Sequence, residues 1–209
     1  MSLLFVALGL LMAGPPTSSA QEFRIGVGGG WAVPTNNVEP QIGSGRNART
    51  RLVDLKPGPH VYVGVGFVRS IGEQLALGAR VRGQTARLRS DVPACNADMV
   101  SCTDDPDGRL QAATVEGRII LTSPDWIHPY LLVSLGIVHA NVGSVMVNTL
   151  SFPEASVTDA GGDVGLGASL PLAGGLQLDA EFRVTGALPG GKENAVTTLP
   201  LSLGLGYQF

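Results

Sequence analysis

At 209 residues, with 15% of them charged and a formal net charge of −3, the chain is one ordinary domain whose charge balance favours neither nucleic acid nor strong binding to an anionic surface. The charged fraction lies below the ~25% usual in soluble domains, and lysine is reduced to Lys56 and Lys192 against twelve arginines. Soluble β-proteins guard their outer edges with lysine, so this scarcity points to a sheet whose outside does not meet water.

The first element is the apolar run Leu3 to Met12. It is too short to span a bilayer as a helix and fits the core of a signal peptide. Ser18-Ser19-Ala20 supplies a small-residue cleavage site, although no Lys or Arg precedes the run. Residues 1–20 are therefore expected to be removed and residues 21–209 to form the domain.

Beyond the leader no helical period survives, and period-two segments recur. The first, Phe23 to Val33, puts Phe23, Ile25, Val27, Trp31 and Val33 on one face and Arg24, Gly26, Gly28 and Gly30 on the other. His60 to Val68 alternates Val61, Val63, Val65 and Phe67 with Tyr62, Gly64 and Gly66. Leu75 to Leu88 sets Leu75, Leu77 and Val81 against Arg80, Arg82 and Gln84. Leu110 to Thr122 sets Val115, Ile119 and Leu121 against Thr114, Glu116 and Arg118.

Pro129 to Ala140 sets Leu131, Val133, Leu135 and Ile137 against Ser134 and Gly136. Ala160 to Leu170 sets Val164, Leu166 and Leu170 against Asp163, Gly165 and Gly167. Leu176 to Thr185 sets Leu178, Phe182 and Val184 against Gln177, Asp179, Glu181 and Arg183. The eighth, Pro200 to Phe209, sets Leu201, Leu203, Leu205, Tyr207 and Phe209 against Ser202, Gly204 and Gly206. Each segment is long enough for a tilted strand to cross a bilayer.

The connections alternate in length. Long ones follow the odd strands: Pro34 to Pro59, Arg89 to Arg109, Asn141 to Asp159 and Leu188 to Ala195. Short ones follow strands two, four and six: Arg69 to Gln74, Ser123 to His128 and Pro171 to Gly175. All long loops thus share one end of the sheet, as in barrels with short periplasmic turns and longer external loops.

Alternation alone does not say which face points inward, since a soluble barrel has the same period with its apolar side inside. Three features decide. The polar face is rich in glycine, which weakens a water-exposed strand but leaves room inside a narrow barrel. It carries both signs of charge at mid-strand: Arg80, Arg82, Glu116, Arg118, Asp163, Asp179, Glu181 and Arg183. The apolar face carries no charge in the strand cores, where a lipid-facing charge costs ~2–4 kcal/mol. The expected fold is an all-β, eight-stranded antiparallel up-and-down transmembrane β-barrel in the bacterial outer membrane.

On this architecture and the terminal Leu-Gly-Leu-Gly-Tyr-Gln-Phe, the chain from Gln21 to Phe209 resembles the small eight-stranded outer-membrane barrels of the OmpX-like and OmpA transmembrane-domain-like group. The resemblance implies that Tyr207 and Phe209 belong to an assembly signal read by the barrel-assembly machinery. It implies outer-membrane lipid and lipopolysaccharide as surroundings, and a monomer. Members of the group act as anchors, adhesins, host-factor binders or, occasionally, lipid-modifying enzymes. The expected role is structural or interaction-mediating through the external loops, with a narrow porin-like channel as the alternative.

The eight luminal charges fit either a packed ion-pair network or a small pore, and eight strands leave little room beyond side chains. Cys95 and Cys102 close a short loop in an exported chain and are expected to form a disulfide. Arg46, Arg49 and Arg51 in the first loop are candidates for an anion such as a lipopolysaccharide phosphate. Asp104, Asp105 and Asp107 lack calcium-loop spacing, so no metal or cofactor is expected. An acyl hydrolase would need Ser, His and an acid together. His139, Ser144 and Glu154 are the nearest set, without that family's tight His-x-Ser pattern, and no catalytic residue is assigned.

Overall fold

The computed structural model describes residues 21–35, 41–42, 49–50, 55–90, 108–142, 145–147, 150–152, 155–187 and 197–209. Eight long strands organise them: β1 (Gln21–Pro34), β2 (Gly58–Ser70), β3 (Leu75–Ser90), β4 (Gly108–Leu121), β5 (His128–Val142), β6 (Ala155–Pro171), β7 (Leu176–Ala187) and β8 (Thr198–Gln208). Each pairs antiparallel with the next, and β8 pairs with β1, so the sheet closes. Closure leaves no strand edge, which is what a bilayer demands of a spanning sheet. No helix among the described residues is long and apolar enough to cross a membrane.

The register fixes the size of the cylinder. Partner to partner, Gln21 leads to Arg69, Leu77, Ile119, Leu131, Leu166, Phe182, Leu201 and back to β1 at Trp31. One circuit therefore advances ten residues. Eight strands with that stagger tilt by about 41° and enclose a backbone radius of about 8 Å. The interior is just wide enough for side chains to fill.

Outward rows are apolar and exposed. Leu131, Val133, Ile137, Leu201 and Leu203 are each 60–63% accessible. From the level of Phe23 and Leu176 to that of Trp31 and Ile137 the apolar band is about 20–24 Å tall at this tilt, close to the ~25 Å of an outer-membrane barrel's lipid belt. Aromatic side chains mark its rims, where apolar rings meet water through their polar edges. At the turn end Phe23 lies 5.9 Å from Phe209, and Tyr207 meets Phe209 edge-on at 4.8 Å. Trp126 in the β4–β5 turn is exposed at the same end, and Trp31 at the other.

The strands run further toward the loop end than the sequence reading placed them. The connections read as Arg89 to Arg109 and Asn141 to Asp159 begin and end inside strands: Arg89 and Ser90 belong to β3, Gly108 and Arg109 to β4, Asn141 and Val142 to β5, and Ala155 to Asp159 to β6. Above the apolar band the outward rows turn polar, with Gln111 and Arg109 on β4 and Thr158 and Ser156 on β6. The inward rows turn apolar there: Leu55, Leu88, Leu110 and Val138 pack with Ala32, Ala86, Ala112 and Ala140. A ladder with charge outside and an apolar core inside is stable in water, so one wall of the barrel projects beyond the bilayer.

Smaller pieces complete the sheet. Leu55–Lys56 pairs with Ser90 and Arg89 of β3, offset by one residue from the β2 register, which turns Leu55 inward and Lys56 outward. Gln41–Ile42 pairs with Arg49–Thr50, and Val145–Val147 with Leu150–Phe152. In the β6–β7 turn Gly174 and Gly175 have φ of 71° and 80°, a conformation that favours glycine. Residues 1–20, Cys95, Cys102 and Asp104 to Asp107 lie outside the described residues.

The lipid boundary is testable. Val133→Arg, at mid-belt, should lower unfolding stability by about 2–4 kcal/mol, whereas Gln111→Arg, above the belt, should cost about 0–1 kcal/mol. Urea unfolding in lipid vesicles, followed by tryptophan emission, measures both; equal costs at the two sites would refute the boundary.

Candidate functional site

The inward rows converge on a charged lattice at mid-depth. Even-numbered positions of β2, β3 and β4 and odd-numbered positions of β6 and β7 point inward, so the alternation that turns aliphatic side chains to lipid turns Arg80, Arg82, Glu116, Arg118, Glu181 and Arg183 into the lumen. Arg80 stands directly opposite Glu116 in the β3–β4 register. Long side chains face glycine across the ladder: Arg82 faces Gly64, Arg183 faces Gly165 and Glu181 faces Gly167. A Cβ on Gly64 would come within 2.8 Å of Arg80 Cδ, and one on Gly204 within 2.1 Å of the Tyr62 hydroxyl oxygen. The inner glycines are the space that the charged and aromatic side chains occupy.

Glu181 is the hub. Its Oε1 accepts from Arg118 Nη2 at 2.6 Å, Tyr130 Oη at 2.9 Å and Arg80 Nη2 at 3.1 Å. Its Oε2 accepts from Arg82 Nη1 at 2.6 Å and from Arg183 Nη2 at 2.8 Å. Glu116 accepts from Arg118 Nε at 2.5 Å and Arg183 Nη1 at 2.7 Å. In a ring of eight, β3 and β7 lie on opposite walls, so the Arg80–Glu181 and Arg82–Glu181 pairs cross the whole lumen. Arg82 also lies 3.7 Å over the Tyr62 ring, and Arg118 4.4 Å over the Tyr130 ring. Stacking on a ring holds a guanidinium where full hydration is lost.

Asp163 joins through neutral groups. It accepts from Ser134 Oγ at 2.7 Å, from Gln84 Nε2 at 3.1 Å and from Thr185 Oγ1, and Arg183 Nη1 stands 3.6 Å away. Asp179 sits apart, nearer the turn end, bonded by Ser169 Oγ and by Gln177 Nε2 at 3.4 Å. Among the described residues four arginines and four carboxylates are buried in the lumen, and their formal charges cancel. His60 extends the polar layer toward the loop end, 3.4 Å from Gln84 and 3.2 Å from Ser202. Sequence reasoning placed Tyr62 on the inner face without a role and passed over Tyr130; its signal was its parity with Ser134.

Above the lattice lies the apolar layer of Leu55, Leu88, Leu110 and Val138. Below it a cavity of ≈ 30 Å³ touches Arg24, Arg80, Arg118, Gln177 and Asp179. A vestibule of ≈ 350 Å³ then opens toward the turn end past Glu22, Arg24 and His128.

The other candidate residues lie elsewhere. His139 is on an outward row near the loop end, its Nδ1 2.7 Å from Thr158 Oγ1. Ser144 and Glu154 lie outside the described residues, as do Arg46 and Arg51. Arg49 belongs to the short backbone pair with Ile42. Among the described residues no group of three His, Cys, Asp or Glu is arranged to hold a metal ion.

A closed cylinder with lipid-facing aliphatic rows and a charged lumen is the architecture of an outer-membrane barrel, and residues 3–209 match the family model of the outer membrane protein beta-barrel domain. The chain belongs to that family. It is a β-barrel protein of the bacterial outer membrane. Neisserial surface protein A is similar in fold, at a TM-score of 0.52 and 16% identity, over 90% of this chain and 97% of that one. OprG of Pseudomonas aeruginosa aligns at a TM-score of 0.49 and 12% identity, over 91% and 97%. Ail, the attachment invasion locus protein of Yersinia pestis, aligns at 0.45 and 15%, over 90% and 98%. No curated protein matches the sequence.

The hub makes a stability prediction for this family member. Glu181→Ala removes the carboxylate that four guanidiniums share, leaves Arg82 without an acidic partner while Arg80, Arg118 and Arg183 keep Glu116, and should cost about 3–5 kcal/mol. Asp179→Asn, which exchanges a carboxylate acceptor for an amide against the Ser169 and Gln177 donors at the edge, should cost less, about 1–2 kcal/mol. Urea midpoints in vesicles rank the two variants, and a Glu181→Ala protein as stable as the parent would remove the hub from the account.

Proposed function

We propose that this barrel is a sealed, monomeric anchor that acts through its external connections, conducts no solute and carries out no reaction. The observation that supports this is the Glu181 lattice, which joins opposite walls at mid-depth beneath an apolar layer. A solute crossing the lumen would have to break several charge-assisted hydrogen bonds together. In this reading the barrel holds the first, second and third external connections at fixed places on its rim. Arg46, Arg49 and Arg51 of the first connection would meet anionic groups at the cell surface. Outer-membrane lipid and lipopolysaccharide surround the band, and the assembly machinery reads the strand that ends in Tyr207 and Phe209.

A narrow channel is the second reading, favoured by one observation. The vestibule and the small cavity beyond it reach from the turn end to Arg80 and Arg118, leaving the lattice and the apolar layer as the barrier.

Planar-bilayer recording separates the two. The wild-type barrel should give no unitary steps, and Arg82→Ala/Glu181→Ala combined with Leu88→Ala/Leu110→Ala should introduce them by opening both the crossing point and the apolar layer above it. Steps in the wild type that change size in Glu116→Ala would replace the sealed anchor with a channel.

A further inference from the structure

Below the lattice the lumen holds one more cation. Arg24 of β1 stands there, beyond the eight buried charges that cancel among themselves. Its side chain is 16% exposed, whereas that of Glu22, its partner at 3.4 Å, is 35% exposed. That separation is long for a charge-assisted hydrogen bond, which closes to ~2.7–2.9 Å. The Arg24 Nε is buried and has no hydrogen-bond partner. A donor held away from water without an acceptor is costly, more so on a charged group.

Arg24 stands where two spaces meet. It lines both the cavity of ≈ 30 Å³ and the vestibule of ≈ 350 Å³, as do Val68 and Gln177. Two more arginines, Arg80 and Arg118, reach the wall of the cavity, against one acid, Asp179. Arg80 is nine-tenths buried, and its Nε also lacks a partner. Asp179 is already engaged by Ser169 Oγ and Gln177 Nε2. Three guanidiniums and one acid leave this wall positive, and a cavity of that size admits a polar head group of only a few atoms.

The vestibule beneath has a different character. Val68, Ala76 and Ile120 belong to a buried apolar cluster and form part of its wall, while Ser70 and His128 add polar groups. Its volume lies at the lower end of the range for small-molecule sites, ~300–1,000 Å³. Charge at the inner end and apolar wall at the outer end describe an amphipathic anion entering head first.

We infer that the turn end of the barrel binds a small organic carboxylate, with its head group in the cavity against Arg24 and Arg80 and its apolar body along Val68, Ala76 and Ile120. A planar guanidinium matches the two oxygens of a carboxylate, and the free Nε donors supply the hydrogen bonds. The Glu181 lattice closes the site from above, so the ligand enters and leaves by the turn end. The site lies below that barrier and stands whether or not the barrel conducts.

The test uses the full chain folded in micelles and isothermal titration calorimetry with benzoate. Benzamide is the neutral counterpart, acetate is the head group without a body, and empty micelles are the blank. The wild type should bind benzoate more tightly than benzamide or acetate, by about tenfold or more. Arg24→Gln should weaken benzoate about 10- to 100-fold, the loss of a hydrogen bond to a charged group. Arg24→Lys, which keeps the charge without the fork, should recover part of that loss. Ser70→Trp, which fills the vestibule and leaves Arg24 in place, should abolish binding, and Arg109→Gln on the outer wall should leave it unchanged. Heat-modified gel mobility reports folding of each variant.

Equal affinity for benzoate and benzamide overturns the inference, as does uptake no greater than that of empty micelles. Benzoate binding unchanged in both Arg24→Gln and Ser70→Trp overturns it as well. Displacement of benzoate by chloride at equal concentration would make the cavity a general anion site and exclude the carboxylate.

Discussion

Lipid offers no hydrogen bonds, and the rest of this structure follows from that deficit. Every backbone N–H and C=O within the bilayer has to find a partner in the chain, and a sheet achieves this only by closing on itself. Closure with eight strands and a ten-residue stagger leaves a lumen too narrow for bulk water and too wide to be empty. Its filling therefore has to come from the inward-facing residues, and a narrow cylinder of that size sets stringent terms for them. Large side chains need opposing glycines, and charges need opposing charges. The Arg82–Gly64, Glu181–Gly167 and Arg80–Glu116 pairs meet those terms.

An ionic filling is not the most stabilising choice. Desolvation of buried charges offsets most of their mutual attraction, and apolar packing of equal volume often does as well or better. The lattice contributes discrimination of another kind. A one-residue slip between any two strands would turn charges toward lipid and aliphatic side chains into the lumen. Glu181 draws donors from β3, β4, β5 and its own strand, so a slip at one seam disturbs contacts made at several others. The charges thus oppose register errors that an all-apolar lumen would tolerate.

The barrel itself was legible in the sequence because period-two alternation and the long–short rhythm of connections survive without any knowledge of pairing. The inward direction of Arg80, Glu116 and Arg183 followed from parity against glycine. The stagger was not legible, since it depends on which residue meets which across loops of many residues. The polarity reversal near the loop end was missed for a related reason. Leu88 and Leu110 keep the same inward phase as Arg82 and Thr114. Nothing in the backbone changes there; the solvent outside changes from lipid to water, and an alternating pattern looks the same on either side of that boundary. Tyr130 was missed because aromatic residues were sought at the rims, whereas this one lies under a guanidinium and bonds Glu181.

The same reversal fixes how deep the barrel sits. Were the outward rows uniformly apolar, the cylinder could slide along the membrane normal at little cost, limited only by its aromatic rims. On β3, β4 and β5 the apolar rows instead end at Val81, Ala113 and Ile137, and within a few residues give way to Arg87, Arg109 and His139. Sinking by one inward–outward repeat would draw these polar groups into hydrocarbon, where an arginine costs most toward the midplane. Rising by the same amount would lift Phe23, Tyr207 and Phe209 out of their interface. The exposed wall of β3 to β6 is thereby held clear of the lipid by the residues that border it, as a consequence of strand chemistry alone.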